Sequence, residues 1–255
     1  MTIARSVAVA REARVELSLA LDAGISDILE VIEGRAGIPV TVAALPQGFA
    51  GVMRRDQERA DIFINGTEAH VRQRFTLAHE FGHYRLGHAT VYDTAADILG
   101  RDPQEMQANA FAGEFLVPRA AVDAWLEREG DPKVELETIV RMARHFGISA
   151  EVAKIRLEQA GRLRGRAKPI SDAILAGKHT NLHYMLSLGQ FHDSLSAISP
   201  DDLPRLPVAA QRQIKALYQA GLSSVEEIAS RTGRAADRVA AELADVEVVA
   251  ADPSF

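Results

Sequence analysis

The chain has 255 residues, a formal net charge of −6, 47% hydrophobic and 25% charged residues, and no cysteine. These are the proportions of a globular protein long enough for a large core. Lack of cysteine excludes disulfides and thiolate ligands, the acidic balance disfavours non-specific nucleic-acid binding, and no run approaches the ~18 apolar residues of a membrane span.

In chain order, helices are expected over 5–21 and 26–34, with Asp22 and Gly24 marking the break. The apolar stretch 3–10 is short and broken by Arg5, which disfavours a signal peptide, and a cytoplasmic location is expected. Short strands follow at 39–43, 51–55 and 61–65, the last two joined by a polar turn. Val71, Phe75, Ala78, Phe81 and Leu86 then recur near the 3.6-residue spacing of an amphipathic helix, opened near Gly66-Thr67 and ended by Gly87. Arg72, Arg74 and Arg85 interleave that stripe and are expected to be solvated or paired with neighbouring carboxylates.

Within this helix, His79-Glu80-Phe81-Gly82-His83 spells H-E-x-x-H. Histidines four positions apart lie one turn above the other on a single face, where two neutral imidazoles can share a divalent cation. The glutamate between them is rotated by one residue, so its carboxylate can serve as a base without ligating the ion. A catalytic site of this kind takes a third protein ligand. After a polar loop at 88–101, Asp102-Pro103 predicts the start of a second helix, which runs up to Pro118. Glu105 sits in its first turn, and Met106, Ala110 and Phe111 mark its apolar side. Glu105 is the best third ligand; Glu114 is the rival, with Asp93 and Asp97 weaker candidates in the loop. Asn109 shares a face with Glu105, and its side-chain carbonyl can accept the outer N–H of a ligand histidine. Tyr84, His88 and Tyr92 are candidate donors to an oxyanion. His88 is rotated about 140° from His83 in an ideal helix, so it reaches the metal only if the helix ends first.

The motifs from Arg72-Gln73-Arg74-Phe75-Thr76 to His83, followed by Glu105-x-x-Ala108-Asn109-x-Phe111-Ala112 and Leu116-Val117-Pro118, resemble the ImmA/IrrE metallopeptidases. Ile38-Pro39-Val40, Gly51-Val52 and Ile62-Phe63-Ile64-Asn65 are similar to the strands that precede the metal helix in that family. Met142 to Leu157 is similar to its small helix-turn-helix-like element, so the resemblance covers roughly two thirds of the chain. It implies a gluzincin-like peptidase in which His79, His83 and Glu105 hold the ion and Glu80 is the catalytic carboxylate. Zinc is expected, although such a donor set also accepts manganese, cobalt or iron. Family members act in bacterial cells, cutting helix-turn-helix repressors of the Xre type to relieve repression in stress or mobile-element responses. The implied substrate is therefore a protein.

Further helices are expected at 118–128, 134–146 and 150–161. The stretch 154–168 carries six basic residues opposed only by Glu158, the pattern of a solvated helix end or of a surface that meets phosphates. In 171–197, His179 and His183 form another i, i+4 pair, with His192 beyond, but no glutamate lies between them and packed or exposed histidines explain them better. Pro200, Pro204 and Pro207 suggest a stiff linker at 199–207. Three short helices at 211–220, 224–231 and 235–244 follow, and 211–247 has five basic and six acidic residues, so a protein-docking or dimerisation role is favoured over DNA binding.

The expected fold is α+β: a helix-rich, zincin-like peptidase body with a small three-stranded sheet (1–130), a helix-turn-helix-like subdomain (131–166) and a helical C-terminal module for partner binding or regulation (167–255). The expected function is metal-dependent cleavage of a repressor. The alternative is a non-catalytic regulator with a vestigial metal site, binding DNA or a repressor by contact alone.

Overall fold

The computed structural model describes residues 2–57, 59–89, 91–94, 102–130, 133–244 and 246, with the side chains of 91–94 left aside. Helix α1 (Ile3–Glu16) is capped by Thr2, whose Oγ1 accepts from Arg5 N at 3.3 Å. It stops five residues short of the expected end because the chain turns back over Arg14. That guanidinium is buried and donates to the carbonyls of Ala20, Ala23 and Phe115, which holds the 17–23 segment as a loop. The second expected helix is reduced to a short helical stretch ending in a wide π-turn, Glu30–Arg35, in which Ala36 N donates to Val31 O.

Strands β1 (Val40–Ala43), β2 (Phe49–Asp56) and β3 (Arg59–Asn65) form the three expected strands. A fourth, β4 (Val91–Thr94), joins them from the stretch expected to be loop, giving the order β1-β3-β2-β4. β1 runs parallel to β3, while β2 is antiparallel to both β3 and β4. Period-two alternation puts Val40, Val42, Met53, Ile62 and Ile64 on the fully buried face, against α2 (His70–Leu86). Asn65 closes β3: its Oδ1 accepts from Thr67 N and Oγ1, and its Nδ2 donates to Phe49 O at 2.9 Å. That turn delays the start of α2 until after Ala69, and Gly87, at φ 75°, ends it.

Helix α3 (Pro103–Leu116) begins as expected, with Asp102 Oδ1 accepting from Gln104 N at 2.8 Å. It lies along α2 and α1. Its buried stripe is Ala108, Phe111, Ala112 and Phe115; Met106, assigned to the apolar side, is exposed because the stripe is set by contact with two helices at once. α4 (Arg119–Arg128), α5 (Leu136–Phe146) and α6 (Ala150–Gln159) follow. α5 and α6 pack through a tight turn in which Gly147 adopts φ 62° and Ser149 Oγ caps α6. Five of the six basic residues between 154 and 168, the first two of them on α6 itself, are engaged in ion pairs. Lys154 pairs with Glu151 and Glu158, Arg156 with Glu114, Arg162 with Asp123, Arg166 with Glu135 and Lys168 with Asp172.

Helices α7 (Ala167–Leu175) and α8 (Lys178–Met185) lead to a segment that returns to the sheet. Asp193 pairs with His70 and Arg74 on α2, Leu195 is buried, and Ser194 donates to Asp27. Farther on, Arg205 N donates to Val42 O at 2.8 Å and Val42 N to Arg205 O at 3.0 Å, while the Arg205 side chain reaches Val40 O and Glu33. The proline-marked segment is thus a docked strap covering the outer edge of β1, not a free spacer. After it, α9 (Val208–Gln219), α10 (Val225–Thr232) and α11 (Ala236–Leu243) enclose a small core of their own: Ile228, Ala229, Val239 and Leu243, flanked by Ile214 and Tyr218. No helix among the described residues is long and apolar enough to cross a membrane.

Candidate metal centre

The helical repeat of α2 turns His79, Glu80 and His83 inward, and all three are fully buried. His79 Nε2 and His83 Nε2 lie 3.0 Å apart; Glu105, from the first turn of α3, places Oε2 3.1 Å from the former and Oε1 3.5 Å from the latter. Ligand bonds of about 2.0–2.1 Å in tetrahedral geometry imply donor–donor edges near ~3.3 Å, so this triangle has the dimensions that one cation requires. The chemistry of the donors agrees. His79 Nδ1 is 3.0 Å from Asn109 Oδ1, an atom that only accepts, so Nδ1 carries the proton and the Nε2 lone pair faces inward. Two such lone pairs and a carboxylate facing one another are mutually repulsive without a positive charge between them. Among the described residues, this is the only His/Asp/Glu group so arranged.

Burial pushes the Glu105 carboxyl up, but with no cation present, and wherever the two facing imidazoles carry a hydrogen toward it, His79 and His83 outweigh burial and hold the group at about 2. The carboxylate form, the one able to ligate, is therefore the resting form. Close approach of the two helices depends on Gly82. A Cβ there would sit 3.0 Å from Phe111 Cδ1 and 3.3 Å from Ala108 O, closer than side chains ordinarily pack. On the other side of α2, Gly51 of β2 faces Glu80: a Cβ at Gly51 would collide with Glu80 Oε1 and lie 2.7 Å from Thr76 Cγ2. The sheet thus leaves a hollow for the Glu80 carboxylate by omitting one side chain.

His88 is buried, with Nδ1 2.9 Å from His83 Nδ1 and Nε2 3.4 Å from Gln107 Oε1. It stands against the Nδ1 side of His83 and not against its inward Nε2. Burial lowers its pKa, and the nearby His83 lowers it further. Tyr84 stacks on Phe81 and carries the Arg55 guanidinium over its ring. Tyr92 and Asp93 lie on β4, whose backbone pairs with β2, but their side chains, like Asp97 altogether, fall outside the described residues. Glu114, the rival ligand, is buried elsewhere: Arg11 pairs with it at 2.7 Å, and Arg156 engages its other oxygen. Burial raises its carboxyl and the two arginines more than reverse that. His179 and His183 belong to no metal-sized group among the described residues.

The sequence reading missed His88 behind His83, the clearance supplied by Gly51 and Gly82, and the depth of Arg74. That arginine, expected at the surface or in a local pair, is fully buried. It donates to Ile25 O at 2.7 Å and Gly147 O at 2.9 Å, pairs with Asp193, and lies 4.3 Å from the centre of the Phe191 ring. Its partner is remote in sequence, so no local pattern announces it.

An α+β, zincin-like body whose central helix and its neighbour offer two imidazoles and a carboxylate to one ion defines a metallopeptidase. Residues 33–158 match the model of the M78 peptidases, described as the IrrE N-terminal-like domain. Through this domain the chain belongs to the ImmA/IrrE metallopeptidase family. No match was found among curated proteins.

Proposed function

We propose that the protein is a zinc-dependent endopeptidase that hydrolyses a peptide bond in a specific helix-turn-helix repressor of the Xre type. The observation that carries this reading is the convergence of His79, His83 and Glu105 within 4.8 Å of one another, one residue from a buried glutamate. The fit of this donor set to a divalent ion favours zinc, which suits mixed imidazole–carboxylate ligation in four-coordinate sites.

In this reading His79, His83 and Glu105 hold the cation, which when bound would supply Lewis acidity, bringing the pKa of a coordinated water toward ~7 and polarising the scissile carbonyl. Glu80, in the hollow left by Gly51, takes the proton of the attacking water and returns it to the departing amine nitrogen. Asn109 fixes the tautomer of His79, so that its Nε2 is free to ligate. The burial of the whole group excludes bulk water, which strengthens each electrostatic effect.

A protein substrate follows from the family's chemistry, and its selection is assigned to the C-terminal helices. Their near-balanced charge and the neutralised basic stretch before them favour protein docking over DNA. The test is co-expression with candidate repressors and mass spectrometry of fragments, for wild type and Glu80→Gln. The variant should keep its metal and lose cleavage by at least about 10²-fold. Full biological activity in Glu80→Gln would transfer the function to contact alone, and broad digestion of casein would replace the narrow specificity with a general one.

A further inference from the structure

His88 is five residues beyond His83, a separation that an unbroken helix would turn away. The helix does not continue. Gly87 takes a left-handed conformation at φ 75°, and His88 N donates back to His83 O at 3.0 Å, so the chain reverses and lays the His88 ring against that of His83. The ring centroids are 4.9 Å apart at an interplanar angle of 66°, and the touching atoms are the two Nδ1 nitrogens.

The proton count along this contact is determined. If His83 offers its Nε2 lone pair to a cation, its Nδ1 must carry the hydrogen. The atom 2.9 Å away, His88 Nδ1, must then accept, which leaves the His88 proton on Nε2. Nε2 lies 3.4 Å from Gln107 Oε1, an acceptor, so the last bond closes in the same direction. Gln107 is on α3, two residues from Glu105, and the chain therefore links one ligand helix back to the other.

We propose that His88 is a positioning residue which accepts the Nδ1 proton of His83 and relays the bond to Gln107, fixing the tautomer and ring angle that aim His83 Nε2 at the metal. The inference rests on the metal centre proposed above and adds an outer partner for His83 to match Asn109 behind His79. A ligand histidine usually donates its outer N–H to a carboxylate, carbonyl or water. Here a second imidazole, buried against His83, takes that place.

The experiment measures zinc affinity by competition with a chromophoric chelator for wild type, His88→Leu and His88→Asn. Asparagine can place its carbonyl oxygen near the lost Nδ1 and accept the same bond. His88→Leu should bind zinc about 10–100-fold more weakly, and His88→Asn should recover most of that loss. Nitrogen-detected NMR of the wild-type imidazoles needs no variant. With zinc bound, it should show the Nδ1–H form for His83 and the Nε2–H form for His88. Unchanged affinity in His88→Leu, no recovery in His88→Asn, or a protonated His88 Nδ1 would each overturn the proposal. So would three imidazoles around cobalt in X-ray absorption, which would make His88 a ligand. Absence of zinc binding by the wild type would overturn the metal centre itself, a failure distinct from those.

Discussion

The two ends of α2 handle buried charge in opposite ways. Near its start, Arg74 sits in the core with its guanidinium bonded to the carbonyls of Ile25 and Gly147, stacked over Phe191 and paired with Asp193. Every partner comes from this chain, and the network is electrically complete. One turn later, His79, His83 and Glu105 are also buried, but their inward atoms are all acceptors once Asn109 and His88 have taken the outer hydrogens. Charge that the chain completes by itself holds the fold together. Charge left for an added cation to complete makes a site.

Breaking the first network should have the largest effect. Asp193→Asn leaves the buried Arg74 without its paired carboxylate and should cost about 3–5 kcal/mol, read as a fall in Tm with zinc affinity per folded molecule unchanged. At the other end, Asn109→Leu should lower zinc affinity about 10–100-fold while leaving the melting temperature of the metal-free protein nearly constant. If both variants changed stability and affinity alike, the division between the two ends would be wrong.

Acid titration sharpens the contrast. Burial raises the Asp193 carboxyl, but its hydrogen bond to His70 and the charge of Arg74 more than compensate, holding it below its ordinary value. A carboxyl with a lower pKa in the folded state stabilises fully above the unfolded value of about 3.9, and that stabilisation disappears as pH falls through the lower folded value. The wild type should thus lose stability on acidification more steeply than Asp193→Asn, measured by chemical denaturation between about pH 5 and pH 2. The smallest effect is expected from removing residues 209–255. Their small core is separate, and partly exposed pairs such as Arg238–Asp202 contribute only about 0–1 kcal/mol, so stability and zinc affinity of the remainder should barely change.

What the sequence disclosed follows the same division. H-E-x-x-H, the Asp102-Pro103 start and the spacing of Glu105 and Asn109 are local patterns whose geometry a helix dictates, and the structure brings those residues together. The three C-terminal helices were legible for the same reason, through capping residues and glycines. Long-range features were not. α1 ends early because Arg14 gathers carbonyls from a following loop and from α3. β4 is a strand because β2 offers it an edge, although its own residues show no clear alternation. The strap at Arg205 was hidden by prolines that read as a spacer. His88 lay between these cases: ring rotation argued against its reaching the metal unless the helix ended, and Gly87 supplies an ending that lays it against His83 instead.

The pairing of Arg74 with Asp193 also sets a timetable for biosynthesis. The two residues are 119 positions apart. A ribosome adding roughly 5–20 residues per second needs about 6 to 24 s to pass from one codon to the other. Throughout that interval Arg74 has Asp27 nearby but not the carboxylate that pairs with it, so its buried network is completed only after Asp193 clears the exit tunnel. The helix that carries His79 and His83 thus gains one of its buried anchors from a part of the chain translated late.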